Sequence, residues 1–186
     1  MRRVVLMVAL ALALPTAALA NSILDYSNST GTISASDSSL SITSTITTIS
    51  VLGGTVLQTG LNLGTLSITA GAMTSGSAAA GGVFGPGTLT ITATGGAVLF
   101  SGTFSSATWT KGPTVGGMVE YALDIVLNGA KGGSFQTAFF TTGDFTGRGV
   151  IASGDTFVVV PEPGTMGLLG TGLVGIAGLV RRKLKV

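Results

Sequence analysis

Thr88-Leu89-Thr90-Ile91-Thr92-Ala93-Thr94-Gly95-Gly96-Ala97-Val98-Leu99-Phe100-Ser101-Gly102-Thr103-Phe104 is the most regular stretch of the chain. Its first arm alternates threonine with an apolar residue, the period of a strand with one face in a core and one in water. Gly95-Gly96 supplies the backbone freedom of a tight connection, so the two arms read as a β-hairpin. The apolar set points inward and the threonines point out.

The same logic extends in both directions. In Met118–Asn128, Val119, Tyr121, Leu123, Ile125 and Leu127 fall on one face, and Glu120, Asp124 and Asn128 on the other, a strand with one wet face. Phe135, Thr137, Phe139 and Thr141 alternate with Gln136, Ala138, Phe140 and Thr142. Upstream, Thr32–Ala35, Leu40–Ile49, Thr55–Leu57 and Leu61–Thr69 are rich in β-branched residues and read as strands, after an unstructured start at Asn21–Asp25. Gly53-Gly54 marks a turn, and Gly71–Gly87, rich in glycine and alanine, reads as a loop. Thr108-Trp109-Thr110 extends the hairpin's second arm until Lys111-Gly112-Pro113 turns the chain. Further turns are expected at Gly129–Gly133, Gly143-Asp144, Gly147 and Ser153-Gly154-Asp155, with Thr156–Val160 as the last strand. No segment between Asn21 and Val160 sustains a helical period. The expected class is all-β, an antiparallel β-sandwich, jelly-roll-like or barrel. A β-helix solenoid is the alternative, although no fixed repeat is present.

The two ends of the chain are of another kind. Arg2 and Arg3 precede an apolar run, Val4–Leu14, broken by Pro15, and Ala18 and Ala20 are the small residues a signal peptidase inspects. Residues 1–20 therefore read as a secretory signal peptide cleaved after Ala20. Residues 160–186 are tripartite. Val160, Pro161, Glu162, Pro163 and Gly164 form an extended segment, because each proline fixes its own φ and keeps its predecessor out of the α region. Thr165–Val180 is uncharged. As a helix it spans about 24 Å, a short single transmembrane helix for a ~30 Å hydrocarbon core. Arg181, Arg182, Lys183 and Lys185 make a basic end that stays cytoplasmic. Between the two ends lies one expected domain, residues 21–159.

In its order of parts the tail resembles the PEP-CTERM sorting signal of Gram-negative bacteria. The resemblance covers Val160–Val186 alone. It implies recognition by an exosortase-type membrane enzyme, removal of the tail and delivery to the cell surface. The tail would hold the chain in the inner membrane only transiently. Gly172, Gly175 and Gly178, three residues apart, weaken it as a lone helix but allow close packing against a partner helix.

Composition narrows the chemistry. The 186-residue chain has no cysteine and no histidine, so disulfides, thiolate metal sites and Ser-His-Asp or Cys-His catalysis are excluded. Its net charge of +2 hides a +5 carried by the two ends and a −3 in the middle. The middle carries Asp25, Asp37, Glu120, Asp124, Asp144 and Asp155 against Lys111, Lys131 and Arg148, an acidic balance that does not suit a nucleic-acid partner. Glu120 and Asp124 share a strand face but stand roughly 13 Å apart, too far to work on one bond. Asp144 and Asp155, expected in turns, are the candidates for calcium. The Thr88, Thr90, Thr92, Thr94 ladder suits ordered water or a glycan, provided that neighbouring strands carry ladders too. Trp109, Phe135, Phe139, Phe140 and Phe145 are expected in the core. Asn28-Ser29-Thr30 matches a glycosylation sequon by accident.

Together these readings predict an exported, non-enzymatic surface or extracellular-matrix protein, structural or adhesive in an exopolysaccharide or biofilm setting. A glycan-, calcium- or ice-binding module is the alternative, and no cofactor is expected. The expected partners are signal peptidase, an exosortase-type enzyme, the membrane through the tail, and exopolysaccharide.

Overall fold

A computed structural model describes residues 21–161, apart from 53–54 and 130–131. The leader with Ala18 and Ala20 lies outside the described residues. So do Glu162, Pro163, the expected helix 165–180 and the basic end. Ile23–Val159 form one compact unit.

The unit is all-β. Its strands are β1 (Asn21–Ser36), β2 (Ser39–Val51), β3 (Thr55–Ala70), β4 (Met73–Ser77), β5 (Gly81–Phe84), β6 (Gly87–Ala93), β7 (Val98–Phe104), β8 (Ala107–Val115), β9 (Met118–Leu127), β10 (Gly133–Thr142) and β11 (Arg148–Pro161). All belong to one sheet in the order β4-β5-β8-β9-β10-β11-β1-β2-β3-β6-β7. The expected antiparallel all-β class is present, in a single curled sheet, a half-barrel. Among the described residues no helix is long and apolar enough to cross a membrane.

β11 is the middle of the sheet although it comes last in sequence. On one side it pairs antiparallel with β10, Gly133 opposite Val158 and Thr137 opposite Gly154. On the other it meets β1: Ala35 N–H donates to Gly147 O at 3.1 Å, Gly149 packs on Ile33, and Gly154 lies against Asn28 Oδ1. Positions rise on one strand as they fall on the other, so this pair is antiparallel too. The curl brings distant strands together. Asn128 N–H, just after β9, donates to Thr103 O of β7 at 2.7 Å, and Met73 N–H of β4 to Asp37 O in the β1–β2 turn at 2.8 Å.

The enclosed face holds the core predicted by alternation. Val119, Tyr121, Leu123, Ile125 and Leu127 are buried along β9, as are Leu89 and Ile91 on β6 and Phe135 and Phe139 on β10. The centre is aromatic. Trp109 has ring centroids of Phe84, Tyr121, Phe139 and Phe145 within 5.3–6.1 Å, at angles from tilted to edge-on. Such pairs add stabilisation beyond their buried area. Phe140, on the opposite face of β10, is 60% exposed and departs from the expected core set.

Four local expectations are corrected. Gly71–Gly87 is no simple loop: it contains β4 and β5, which run to the far edge of the sheet and back. Core aromatics hold the connection between them, with Trp109 Nε1–H donating to Ala78 O and Tyr121 O–H to Ala79 O, both at 2.8 Å. Lys111-Gly112-Pro113 does not turn the chain, because β8 continues to Val115 and the turn falls at Gly116-Gly117, where positive φ suits glycine. Ser153-Gly154-Asp155 lies inside β11. Pairing with both β10 and β1 overrides the local turn preference there. Asn21–Asp25 begins β1, held by β2 through Leu24–Val51 and Asp25–Ser50 pairing.

Candidate functional site

The outer face of five neighbouring strands, β1-β2-β3-β6-β7, is covered with hydroxyls. One row runs Ser34, Ser41, Thr69, Thr88, Thr103 across the strands. The next runs Thr32, Thr43, Ser67, Thr90, Ser101, and a third holds Thr45, Thr65 and Thr92. Strands lie about 4.8 Å apart and same-face residues about 6.7 Å apart along a strand, which sets the spacing of this lattice. Neighbouring hydroxyls are in contact, Thr69 Oγ1 with Thr88 Oγ1 at 3.1 Å and Thr90 Oγ1 with Ser101 Oγ at 3.5 Å. Of the ladder legible in the sequence, Thr88, Thr90 and Thr92 form one column of an array, whereas Thr94 lies beyond β6 and donates from Oγ1 to Asn62 O. The inward residues of the same strands, Leu40, Ile42, Leu66, Ile68, Leu89 and Ile91, are buried and hold the array in place.

Around Gly31 the face sinks into a shallow depression of about 390 Å³, rimmed by Thr30, Thr32, Thr43, Thr45 and Thr65. Its shape follows from an irregularity in β1, whose register to β2 shifts between Ser27 and Asn28 and between Ser29 and Gly31. Thr30 is held at φ +50°, a conformation that a β-branched residue seldom adopts. Gly31 is required because a Cβ there would come within 2.7 Å of Ser44. Beneath, Asn28 is buried and its Nδ2–H donates to Ser44 Oγ at 2.7 Å. The sequon asparagine is therefore a structural residue, inaccessible as a glycan acceptor in the folded domain.

Charge divides the domain. No charged residue occurs between Asp37 and Lys111. On β9–β11, Gln136 Nε2–H donates to Asp124 Oδ1 at 2.9 Å, and Asp155 stands on the other side of Gln136. Asp25 of β1 is close enough to feel Asp155. Burial first, and then repulsion from Asp155, push its carboxyl above the usual carboxylate range, while a hydrogen bond from Ser50 opposes them. A raised carboxylate pKa favours the protonated folded state, so this group destabilises the fold above its folded-state pKa. That cost disappears as pH falls through the folded pKa towards the ordinary 3.8. Asp25→Asn is accordingly expected to be more stable than the parent at neutral pH, with the gap closing in acid. Chemical denaturation across pH checks this.

The calcium candidates are not brought together. Asp144 accepts from Lys111 Nζ in the loop after β10, whereas Asp155 lies within β11 opposite Gln136. Among the described residues no cluster of three metal-type side chains occurs. Glu120 and Asp124 share the outer face of β9, with Glu120 beside Gly112 and Asp124 held by Gln136. Trp109, Phe135, Phe139 and Phe145 are buried, so none is a sugar platform.

The fold thus defines an all-β domain with one hydroxyl-covered face and a last strand that runs directly into Val160-Pro161. Pro161 ends β11, where a missing donor is tolerated. Residues 159–183 match the PEP-CTERM protein-sorting motif. The motif points to an exported protein handled at the membrane by an exosortase-type enzyme. No curated protein and no solved structure matches the chain.

Proposed function

We propose that this protein is a non-enzymatic component of the cell surface or extracellular matrix, with its β domain as the cargo of its own sorting tail. The carrying observation is the sorting motif at residues 159–183, continuous with the central strand of the domain. The leader is cleaved after Ala20, the tail holds the chain in the inner membrane, and removal of the tail delivers the domain. The role at the surface is structural or adhesive, in contact with exopolysaccharide. In this reading Glu120 and Asp124 belong to a solvated strand face, where Gln136 Nε2–H holds Asp124.

One observation favours a second reading, that of a binding module. The hydroxyl lattice offers paired donors and acceptors, and methyl groups, without charge, a surface suited to an uncharged glycan or to ordered water. Thermal unfolding of the exported form with soluble neutral and acidic polysaccharides, and with calcium, tests it. A hundredfold excess of ligand over its Kd adds about 2.7 kcal/mol of stability. A shift with neutral glycan that is weakened by Thr43→Lys supports the lattice. No shift with any of them leaves the structural reading and removes the module.

A further inference from the structure

One end of the sheet gathers four features. β1 begins there, β11 ends there, and the β2–β3 and β9–β10 connections lie there. Leu52 N–H donates to Ile23 O at 2.8 Å, and Val159 N–H to Gly132 O at 2.9 Å. At this end the β2–β3 hairpin exposes Leu52, Val56 and Leu57, each more than half exposed, and further along β3 Leu61 is 96% exposed. From Thr55 to Thr59, β3 pairs with β2 alone, since its pairing with β6 begins at Gly64. No charged residue lies anywhere in the hairpin. The apolar side chains are concentrated on one element, which distinguishes them from the scattered exposed hydrophobics of an ordinary surface.

We infer that this hairpin is a lipid-contacting element, resting on the outer surface of the bilayer while the tail is held in it. The occupant follows from where the chain leaves the domain. Val159 N–H is bonded to Gly132 O near the end of β11, and the sorting motif starts at that residue. Five residues lie between Val159 and Thr165, so the six steps reach at most about 21 Å when fully extended. The two arms of the hairpin are two and three strands away from β11 in the sheet order, β11-β1-β2-β3, roughly 10 and 14 Å. A bilayer that holds the tail is therefore within reach of Leu52, Val56 and Leu57. Their lack of charge means that the contact needs no anionic lipid. A single weak membrane contact gives only marginal binding, and a second one makes attachment stable. The hairpin would then orient the domain before tail removal and release it afterwards. This inference rests on the sorting reading above.

The chain has no cysteine, so single labels can be placed cleanly. Leu57→Cys and Val115→Cys variants of the full chain are labelled with an environment-sensitive fluorophore and reconstituted into phosphatidylcholine–phosphatidylethanolamine vesicles. Val115 is 72% exposed and lies beside the β8–β9 turn at the opposite end of the sheet. The expected result is a blue shift and quenching by lipid-borne quencher at position 57, and neither at position 115. Chain that floats with the vesicles while both labels report water overturns the hairpin contact and leaves the tail reading intact. A shift at position 57 that grows with the number of chains per vesicle and resists lipid-borne quencher assigns the hairpin to a second copy of the chain, and also overturns it. Chain that does not float overturns the tail reading, and this inference with it.

Discussion

Trp109→Ala is expected to destabilise the domain by about 3–5 kcal/mol, the range for removing a fully buried large aromatic side chain. Trp109 is 1% exposed and touches Phe84 of β5, Tyr121 of β9, Phe139 of β10 and Phe145 in the loop after it. Its indole also fastens the β4–β5 connection through Ala78 O. Alanine would leave a cavity that the neighbouring rings cannot fill, because strands fix the positions of Phe84, Tyr121 and Phe139. A domain of ordinary stability has only about 5–15 kcal/mol in all, so the loss is a large share of it. Trp109→Phe separates the contributions: it keeps much of the ring packing and loses the hydrogen bond, so an intermediate cost is expected. Denaturant unfolding of the three proteins checks the order. Equal stability of parent and alanine variant would remove the aromatic cluster as the centre of the core.

The second large effect concerns β11. Val158→Asp is expected to cost at least about 4–5 kcal/mol, because it places an unpaired charge in the core. Val158 is fully buried opposite Gly133. Val150→Asp, on the same strand, is expected to stay within about 0.5 kcal/mol of the parent, since Val150 is 71% exposed. The contrast follows from burial alone, since both residues are on β11. β11 itself lies between β10 and β1, where it joins the two halves of the sheet. A chain cut before Arg148 should for the same reason show no cooperative unfolding transition. Retained cooperativity in that fragment would mean that the halves fold without their joining strand.

Placing the last strand in the middle has a consequence for export. The sheet is complete only when the segment leading into the sorting motif has emerged. The strand that completes the fold and the segment that addresses the protein are thus contiguous, and whatever frays the end of β11 alters the presentation of Val160 and Pro161.

Much of the strand content was legible because alternation is a local property. The β9 set from Val119 to Leu127, and the Leu89 and Ile91 pair of β6, are buried as their two-residue period requires. The missed strands are the ones without a period. β4 and β5 are built from Ser, Gly, Val and a few larger residues, and their order comes from backbone pairing and from Trp109 and Tyr121, residues distant in sequence. The Ser153–Asp155 misreading has the opposite cause: local turn chemistry is genuine there, and pairing on both sides outweighs it.

The hydroxyl array shows where single-strand reading ends. Thr88, Thr90, Thr92 and Thr94 were visible as a ladder, but an array requires knowing that β1, β2, β3, β6 and β7 are neighbours. The excursion of the chain through β4 and β5, to the other edge of the sheet, hides the adjacency of β3 and β6. The depression at Gly31 was likewise out of reach, because it depends on a register shift. The tail was the reverse case: proline spacing, an uncharged run and a basic end carry their meaning in sequence order, and needed no fold to be read.

The intact mass of the protein recovered from outside the inner membrane tests the central claim most directly. The account predicts a polypeptide that begins at Asn21, ends within or next to Val160–Gly164, and lacks Thr165–Val186, with any attached group adding to that mass. A surface form that retains Thr165–Val186 would contradict it, and would make the tail a permanent anchor.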